Sequence, residues 1–310
     1  MAVYNIGEYI KEKRERLGVT QDELCEGICS IATMSRIESG GRIPKSKVMI
    51  PLLQRLGLSD FIVDSMSTKE ELECMELIAE MRSSYISGNM EVAKTAFAEV
   101  MPYYDDLPVN GKQFCRLFET RLKIDSGELQ HNQALPIYED IMRMTVPGYS
   151  VDRLPRLMSF EEINVLNNIA IAYGKTGRID TTINVYYAIK QFYDRHSTNI
   201  DNVLRTLPTI YYNLSKYLGL SGRYNECVKI CEEGISYIKI SGRYDNYSYI
   251  LYNLAWVLLR RKNIGDLERA DFALKTAYCS ALMTEGKAGL AQDIQTMYRN
   301  NYSRDLPDLF

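Results

Sequence analysis

Apolar positions along this chain recur every three to four residues, which is the period of an amphipathic helix rather than of a strand. Near the N-terminus this spacing predicts a first helix from Ile6 to Leu17, and Gly18 ends it. From Glu70 onward every segment has the same period. The pattern therefore predicts an all-α protein, with a small N-terminal region followed by a longer helical region.

Two short helices joined by a tight turn are predicted within VTQDELCEGICSIATMSRIESG, residues 19–40. Thr20 is followed three residues later by Glu23, and the two residues form a capping box at the start of the first helix. Leu24 and Ile28 are four residues apart, so they are expected to share one apolar face. These residues predict a short helix that begins after Thr20 and buries one side.

The second helix of the pair is expected to follow a break at residues 28–30, with Ser30 as its cap. Met34 and Ile37 form its buried side, and Gly40 ends it because glycine tolerates the left-handed conformation at a helix C-terminus. A helix, a short turn and a second helix form a helix-turn-helix motif, whose second helix enters the major groove of DNA. An ordinary amphipathic helix pair is the alternative.

This stretch resembles the Cro/repressor (XRE) family of DNA-binding domains, since TQ, the apolar spacing, SRIE and the following glycine occur in family order. Its SRIESG ending and its turn, shortened by one residue, are most similar to the PlcR/Rgg group of Gram-positive peptide-pheromone receptors, the RRNPP receptors. The resemblance implies a buried ion pair between Arg14 and Glu38 that locks the first helix against the recognition helix. Two solvated charges are the alternative.

A fourth helix is expected from about Lys47 to Leu56. Pro51 lies inside it and removes one backbone hydrogen bond, which predicts a kink or a late start. The helix-turn-helix domain is then expected to occupy residues 1–66, with the linker to the next domain at about residues 60–68.

The longer region carries an internal repeat of roughly 40–50 residues, a period typical of helical solenoids. Glycines mark this period at Gly88, Gly127, Gly177 and Gly222. Three segments resemble the tetratricopeptide repeat, with a helix A, a G-x-aromatic turn and a helix B: Leu166 to Ile189, Tyr212 to Ile235, and the residues from Tyr252 onward. We therefore expect five repeats at residues 67–310 and a capping helix at about 285–304. The predicted fold is all-α, with an N-terminal helix-turn-helix domain followed by a tetratricopeptide-repeat superhelix for peptide binding and dimerisation; an unrelated helical bundle is the alternative.

Composition gives no indication of catalysis, cofactor binding or metal binding. The chain has 310 residues and a net charge of −3, and its seven cysteines form no CxxC pair. Only His131 and His196 are available as histidines, and no catalytic arrangement surrounds either. No apolar run approaches the ~20 residues that span a bilayer, and the N-terminus lacks the apolar core of a secretion signal. We expect a cytoplasmic protein that is not an enzyme, with cysteines buried as small residues.

The N-terminal residues of a recognition helix meet base edges, which assigns base contacts to Ser30, Ile31, Ala32 and Thr33. None of the four is Arg, Asn or Gln, so bidentate readout of guanine or adenine is missing. The apolar members suit thymine methyl groups instead, which predicts A·T-rich half-sites. Alternatively, Ser30 and Thr33 are only capping and surface residues.

Phosphate contacts are assigned by the family pattern to Gln21 and Arg36, with assistance from Thr20 and Ser35. Residues 1–59 hold nine Lys/Arg and seven Asp/Glu, which is a weak electrostatic footprint for a DNA-binding domain. A homodimer, made largely through the repeats, would double the basic surface and place two recognition helices on two half-sites of double-stranded DNA.

Three asparagines occupy the same place in helix A of the best repeats, namely Asn168, Asn213 and Asn253. The third of these repeats lacks its turn glycine and is aligned by its YNL match. In a tetratricopeptide superhelix this position faces the concave groove, where side-chain amides donate to and accept from an extended peptide backbone. Groove asparagines on helix A do this in PlcR/Rgg-like receptors, so the resemblance implies a peptide site here.

Further residues are assigned to the same peptide site: Asn164, Asn167, Tyr212, Tyr249 and Tyr252. The tyrosines are expected to supply apolar walls with a polar tip. With the groove empty, the side chain of Asn213 is expected to face solvent. Asparagines that merely cap or hydrate the helices are the alternative.

The sequence as a whole predicts a sequence-specific DNA-binding transcription regulator controlled by a short signalling peptide, as in quorum sensing. Peptide binding would shift the dimer between two geometries. In a second interpretation the repeats bind a protein partner or only dimerise. A third, enzymatic interpretation follows from tetratricopeptide relatives that dephosphorylate response regulators, but those carry an N-terminal helical bundle rather than a helix-turn-helix.

Overall fold

The computed structural model describes five stretches of the chain, residues 6–56, 69–86, 89–196, 200–284 and 286–306. Within them it contains fifteen α-helices, one short 3-10 helix (Met101–Asp106) and no β-strand. The predicted all-α fold is therefore confirmed. None of the described helices is long and apolar enough to cross a membrane, and no group of potential metal ligands is found among the described residues.

Four helices form the N-terminal part: α1 (Ile6–Arg16), α2 (Gln21–Cys25), α3 (Ile31–Glu38) and α4 (Ser46–Arg55). The predicted caps are confirmed, because Thr20 forms a capping box with Glu23 and the Ser30 hydroxyl accepts from the amide of Thr33. The core between these helices consists of fully buried apolar side chains, among them Ile10, Leu24, Met34, Ile37 and Leu52.

The turn between α2 and α3 begins earlier than predicted. Gly27 adopts a left-handed φ of +70° and α2 ends at Cys25, so the helix stops before the predicted break at residues 28–30. In contrast, α4 continues through Pro51, with bounds close to those predicted. The chain reverses at a glycine because only glycine adopts this conformation without steric cost.

Eleven more α-helices follow among the described residues. They are α5 (Lys69–Ile86) and α6 (Met90–Val100); α7 (Val109–Asp125) and α8 (His131–Arg143); α9 (Phe160–Lys175) and α10 (Ile179–His196); α11 (Ile200–Leu220) and α12 (Tyr224–Ser241); α13 (Tyr247–Arg261) and α14 (Asp266–Leu282); and α15 (Ala288–Tyr302). The last of them, α15, lies where the capping helix was predicted, while the division into five repeats stays a prediction. Gly88 and the linker at 60–68 lie outside the described residues, so the boundary between residues 66 and 67 stays a prediction.

The turns between helices A and B confirm how the repeats align. Gly127, Gly177 and Gly222 all adopt positive φ angles. In the last repeat Lys262 takes the same position and itself adopts a φ of +58°, although it is not a glycine. The alignment through the YNL match is therefore correct, and a lysine tolerates the left-handed turn there.

The chain divides into two compact units. The first is Met1–Gly177 with Asp194–Asn199, and the second is Arg178–Tyr193 with Ile200–Phe310. The first unit includes α1 to α9, so the helix-turn-helix and the first repeats belong to one unit. The second unit has its own core of fully buried side chains, including Leu214, Leu218, Cys231, Ala255, Leu258, Leu274 and Ile294.

Candidate DNA-binding and peptide-binding surfaces

The recognition helix α3 buries one side and exposes the other. Met34 and Ile37 are fully buried, whereas Ile31 is 51% exposed. The other candidate base-contact and phosphate-contact residues of this helix are also exposed or half-buried: Ser30, Ala32, Thr33, Ser35 and Arg36. The Oγ of Ser30 lies 3.0 Å from the Oγ1 of Thr33, so both hydroxyls hold the start of the helix. The N-terminal face of α3 is therefore available to DNA, while its base contacts stay a prediction.

An ion pair between Arg14 and Glu38 joins α1 to α3, as predicted. The Nε and Nη2 of Arg14 donate to the two carboxylate oxygens of Glu38 at 2.6 and 2.9 Å, and Nη1 donates to the Val19 carbonyl. Both side chains are buried, which makes this a bidentate buried pair. The pair fixes the orientation of the recognition helix against the first helix.

Gln21 takes part in the same network. Its Nε2 donates to Oε2 of Glu38 at 2.8 Å, so part of its amide has a structural role at the start of α2. Burial alone would raise the pKa of Glu38, but the hydrogen bonds from Arg14 and Gln21 and the Arg14 charge lower it below its ordinary value. The carboxylate is therefore held in its charged form, as its partners require.

Arg55 connects the helix-turn-helix to the repeats, a contact that sequence reasoning missed. Its Nη1 donates to the carbonyls of Leu24 and Glu26 at the end of α2, at 2.9 and 2.8 Å. Its Nη2 donates to the Thr145 carbonyl at 3.3 Å and to Oε1 of Glu162 at 2.7 Å. Both Arg55 and Glu162 are buried. One guanidinium thus binds the turn before the recognition helix and the segment around α9 at once.

The backbone of the same turn contacts the repeats directly. A Cβ added to Gly27 would lie 2.2 Å from the carbonyl oxygen of Thr145, so only glycine fits at this approach. Two further contacts join α4 to the repeats, a hydrogen bond between Asn110 and Gln54 and a 3.1 Å ion pair between Lys47 and Asp106. Because these contacts involve α4 and the turn, the N-terminal face of α3 remains exposed.

The local sequence explains why Glu162 is available to Arg55. Ser159 and Glu162 form a capping box at the start of α9, in which the Ser159 amide donates to Oε2 at 2.6 Å. This leaves Oε1 to accept from Arg55. Burial would raise the pKa of Glu162, but the Arg55 charge and these hydrogen bonds lower it below its ordinary value. The capping pattern S-x-x-E is visible in the sequence, whereas its partner Arg55 is not.

In the second unit, the candidate peptide residues lie where α13 meets α11. The Nδ2 of Asn253 donates to the Tyr212 carbonyl at 3.1 Å and to Oγ of Ser215 at 2.9 Å. The rings of Tyr212 and Tyr249 have centroids 5.1 Å apart. Asn213 is only 7% exposed, so the expectation that its side chain faces solvent is wrong. The amide of Asn253 connects two successive A helices.

The equivalent position in the first unit behaves in the same way. Oδ1 of Asn168 accepts from Nη1 of Arg121 on α7 at 3.2 Å, and its Nδ2 donates to the Asn164 carbonyl at 2.9 Å. Asn164 and Asn167 are half-buried on α9. Thus Asn168 and Asn253, in separate units, each contact the preceding helix A. Whether any of these residues contacts a peptide stays a prediction.

Comparison with known proteins supports the domain and the fold. Residues 10–61 match the family described as Helix-turn-helix, so the N-terminal part is a helix-turn-helix domain. No curated protein sequence matches the chain. Among solved structures, Bacillus thuringiensis PlcR in complex with the peptide PapR7 and DNA is 16% identical, with a TM-score of 0.58 over 97% of this chain and 99% of that one.

Two other solved structures have a similar fold. PlcR of B. thuringiensis in its apo form is 15% identical, with a TM-score of 0.56 over 93% of this chain and 98% of that one. ComR from S. thermophilus in complex with DNA and its signalling peptide ComS is 18% identical, with a TM-score of 0.50 over 96% and 99%. At these identities the likeness establishes the fold over nearly the whole length of the chain.

Proposed function

We propose that this chain, which has a helix-turn-helix domain and the fold of PlcR and ComR, is a cytoplasmic transcription regulator that binds DNA and responds to a short peptide. The observation that carries the DNA-binding proposal is the exposed N-terminal face of α3. Its opposite side is buried, and the Arg14–Glu38 pair fixes its orientation. A helix presented in this manner suits the major groove.

In this proposal the base contacts come from Ser30, Ile31, Ala32 and Thr33. The exposed Ile31 side chain supports an apolar contact with a thymine methyl group. Phosphate contacts come from Arg36 and Gln21, with Thr20 and Ser35 beside them. The protein acts as a homodimer, because a single motif binds weakly and family geometry uses two half-sites about 34 Å apart.

The peptide part of the proposal is supported by the relatives of similar fold. PlcR has been crystallised with the peptide PapR7 and DNA, and ComR with its signalling peptide ComS and DNA. In this chain the A helices carry amide and tyrosine side chains suited to an extended backbone. We assign the contact in the second unit to Tyr212, Asn213, Tyr249, Tyr252 and Asn253, and a contact in the first unit to Asn164, Asn167 and Asn168.

The DNA-binding proposal is tested by selecting duplexes from a random library with the full-length protein. We expect an enriched sequence with two A·T-rich half-sites separated by about one helical turn or a multiple of it. Recovery of unenriched DNA would contradict sequence-specific binding. Analytical ultracentrifugation with the selected duplex then gives the number of protomers bound.

The peptide proposal is tested by a thermal-shift screen of short synthetic peptides with the full-length protein. A peptide at about 100 times its dissociation constant adds ~2.7 kcal/mol to the free energy of unfolding. A protein whose repeats hold a protein partner or only dimerise would show no shift with any peptide.

A further inference from the structure

A segment of the repeat region, residues 144–159 between α8 and α9, lies against the first helix of the helix-turn-helix. Nη1 of Arg156 in this segment lies 3.3 Å from Oε1 of Glu23, which is in the first turn of α2. The Arg156 side chain is 67% exposed and that of Glu23 is 33% exposed. A cation of the repeat region is therefore present at the surface of α2.

The position of this segment does not depend on the exposed pair. Thr145 near its start and Glu162 just after its end both accept hydrogen bonds from the buried guanidinium of Arg55. Between these two points several apolar side chains are buried, namely Val146, Tyr149, Leu157 and Met158. Packing on both sides of Arg156 therefore holds the segment in place against α2.

The guanidinium of Arg156 offsets a carboxylate at this surface. Oε2 of Glu23 accepts from the amide and the hydroxyl of Thr20 at 2.7 and 3.1 Å, so this carboxylate is fixed beside Thr20 and Gln21. A carboxylate next to a phosphate strand is repulsive, and the Arg156 guanidinium offsets it. Arginine has five N–H donors in a planar group suited to phosphate, and the bond to Glu23 uses one of them.

We propose that Arg156 contacts a DNA phosphate, so that the repeat region forms part of the DNA-binding surface. This inference rests on the proposed DNA binding. The first helix of a helix-turn-helix crosses the DNA backbone, and Arg156 lies against that helix. A phosphate contact carries no sequence information, so Arg156 strengthens binding to every duplex alike.

The test compares the full-length wild type with Arg156→Ala on one random-sequence duplex and on one selected duplex, over a series of salt concentrations. Each neutralised phosphate contributes about 0.9 to the slope of log affinity against log salt. We expect Arg156→Ala to reduce this slope by about one, and the affinity for both duplexes about tenfold at 0.1 M salt, for each protomer bound. Thermal melting should be close to wild type, because the side chain is exposed.

Arg143→Ala is the matched control. Arg143 is also an exposed arginine of the first unit, but it pairs with Glu139 and Asp140 on its own helix α8. The slope of log affinity against log salt for Arg143→Ala should equal that of wild type. The second arm places Arg156→Ala in a Glu23→Gln background, which keeps the capping box. If Arg156 contacts a phosphate, adding Arg156→Ala to Glu23→Gln should reduce the salt slope by the same amount as adding it to wild type.

Several outcomes overturn the inference. An unchanged slope for Arg156→Ala, with DNA binding intact, overturns it and leaves the proposed function standing. Loss of the effect in the Glu23→Gln background would mean that Arg156 only neutralises Glu23. A wild type that binds neither duplex at low salt overturns the proposed function and this inference together.

Discussion

The guanidinium of Arg55 lies 2.7 Å from the carboxylate of Glu162, although 107 residues separate them along the chain. Both side chains are buried, and the same guanidinium binds carbonyls at the end of α2. The buried guanidinium of Arg55 therefore contacts both the turn before the recognition helix and the repeat region. A change in either part of this contact affects the other.

Removing the carboxylate should destabilise the first unit. Glu162→Gln leaves the Arg55 charge buried without its counter-ion, which costs ~3–5 kcal/mol. Urea denaturation of the full-length chain measures this loss. Glu91→Gln is the control, since Glu91 is exposed and pairs with Lys94 on its own helix; it should change stability by no more than ~0.5 kcal/mol. Equal stability of both variants would show that the buried pair is dispensable.

Acid should lower the free energy of unfolding of the same unit. The pKa values of Glu38 and Glu162 lie below their ordinary 4.5, so the unfolded chain takes up protons at higher pH than the folded chain does. The free energy of unfolding therefore falls as the pH drops from about 4.5 through the lower folded-state pKa values, and it is regained at higher pH. Denaturation of wild type and Glu162→Gln between pH 3 and 6 measures this. Parallel curves for the two proteins would contradict it.

Arg14→Ala should destabilise the helix-turn-helix by ~3–5 kcal/mol, because Glu38 is left buried with Gln21 as a neutral partner. The full-length chain is the proper sample, since a fragment ending at residue 66 would remove Glu162 and Thr145 from Arg55. Arg16→Ala is the control, because Arg16 is exposed and pairs with Glu12 along the same helix. A thermal melt of Arg14→Ala that matches the control would indicate that the pair contributes little.

Substitutions on α3 should separate base contacts from phosphate contacts. Arg36→Ala should weaken binding to all duplexes and reduce the salt slope by about one charge. Ile31→Ala and Thr33→Ala should change the preferred base instead. Selection from a random library with each variant is the measurement. An identical selected sequence for wild type, Ile31→Ala and Thr33→Ala would remove the base-contact assignment.

Asn253→Ala should lower both the stability of the second unit and the affinity for a bound peptide. It removes the hydrogen bonds to the Tyr212 carbonyl and the Ser215 hydroxyl, which costs ~1–3 kcal/mol of stability. It should also lower the affinity for a peptide found in the thermal-shift screen, by roughly ten- to a hundredfold per lost hydrogen bond. Denaturation and calorimetry measure the two effects separately. Reduced stability with unchanged peptide affinity would mean that this asparagine only connects α11 and α13.

Sequence patterns determined the elements whose causes are local. The capping boxes at Thr20 and Ser159, the left-handed glycines and the apolar spacing act within a few residues, so the helices and repeats follow from them. Glu38 was paired correctly with Arg14 because a family resemblance supplied the partner. The same local reasoning misplaced the end of α2, since the apolar spacing of Ile28 concealed the turn at Gly27.

Only the tertiary structure decided which long-range partners meet. Nothing near Arg55 in the chain indicates Glu162 or Thr145, because their contact depends on how α4 packs against the segment before α9. The burial of Asn213 and the contact of Asn253 with α11 also depend on packing between helices. A shared repeat position determines on which face of its helix a side chain lies, but it does not determine what packs against that face. Side-chain environment arises from packing between distant segments, and periodicity within one segment cannot specify it.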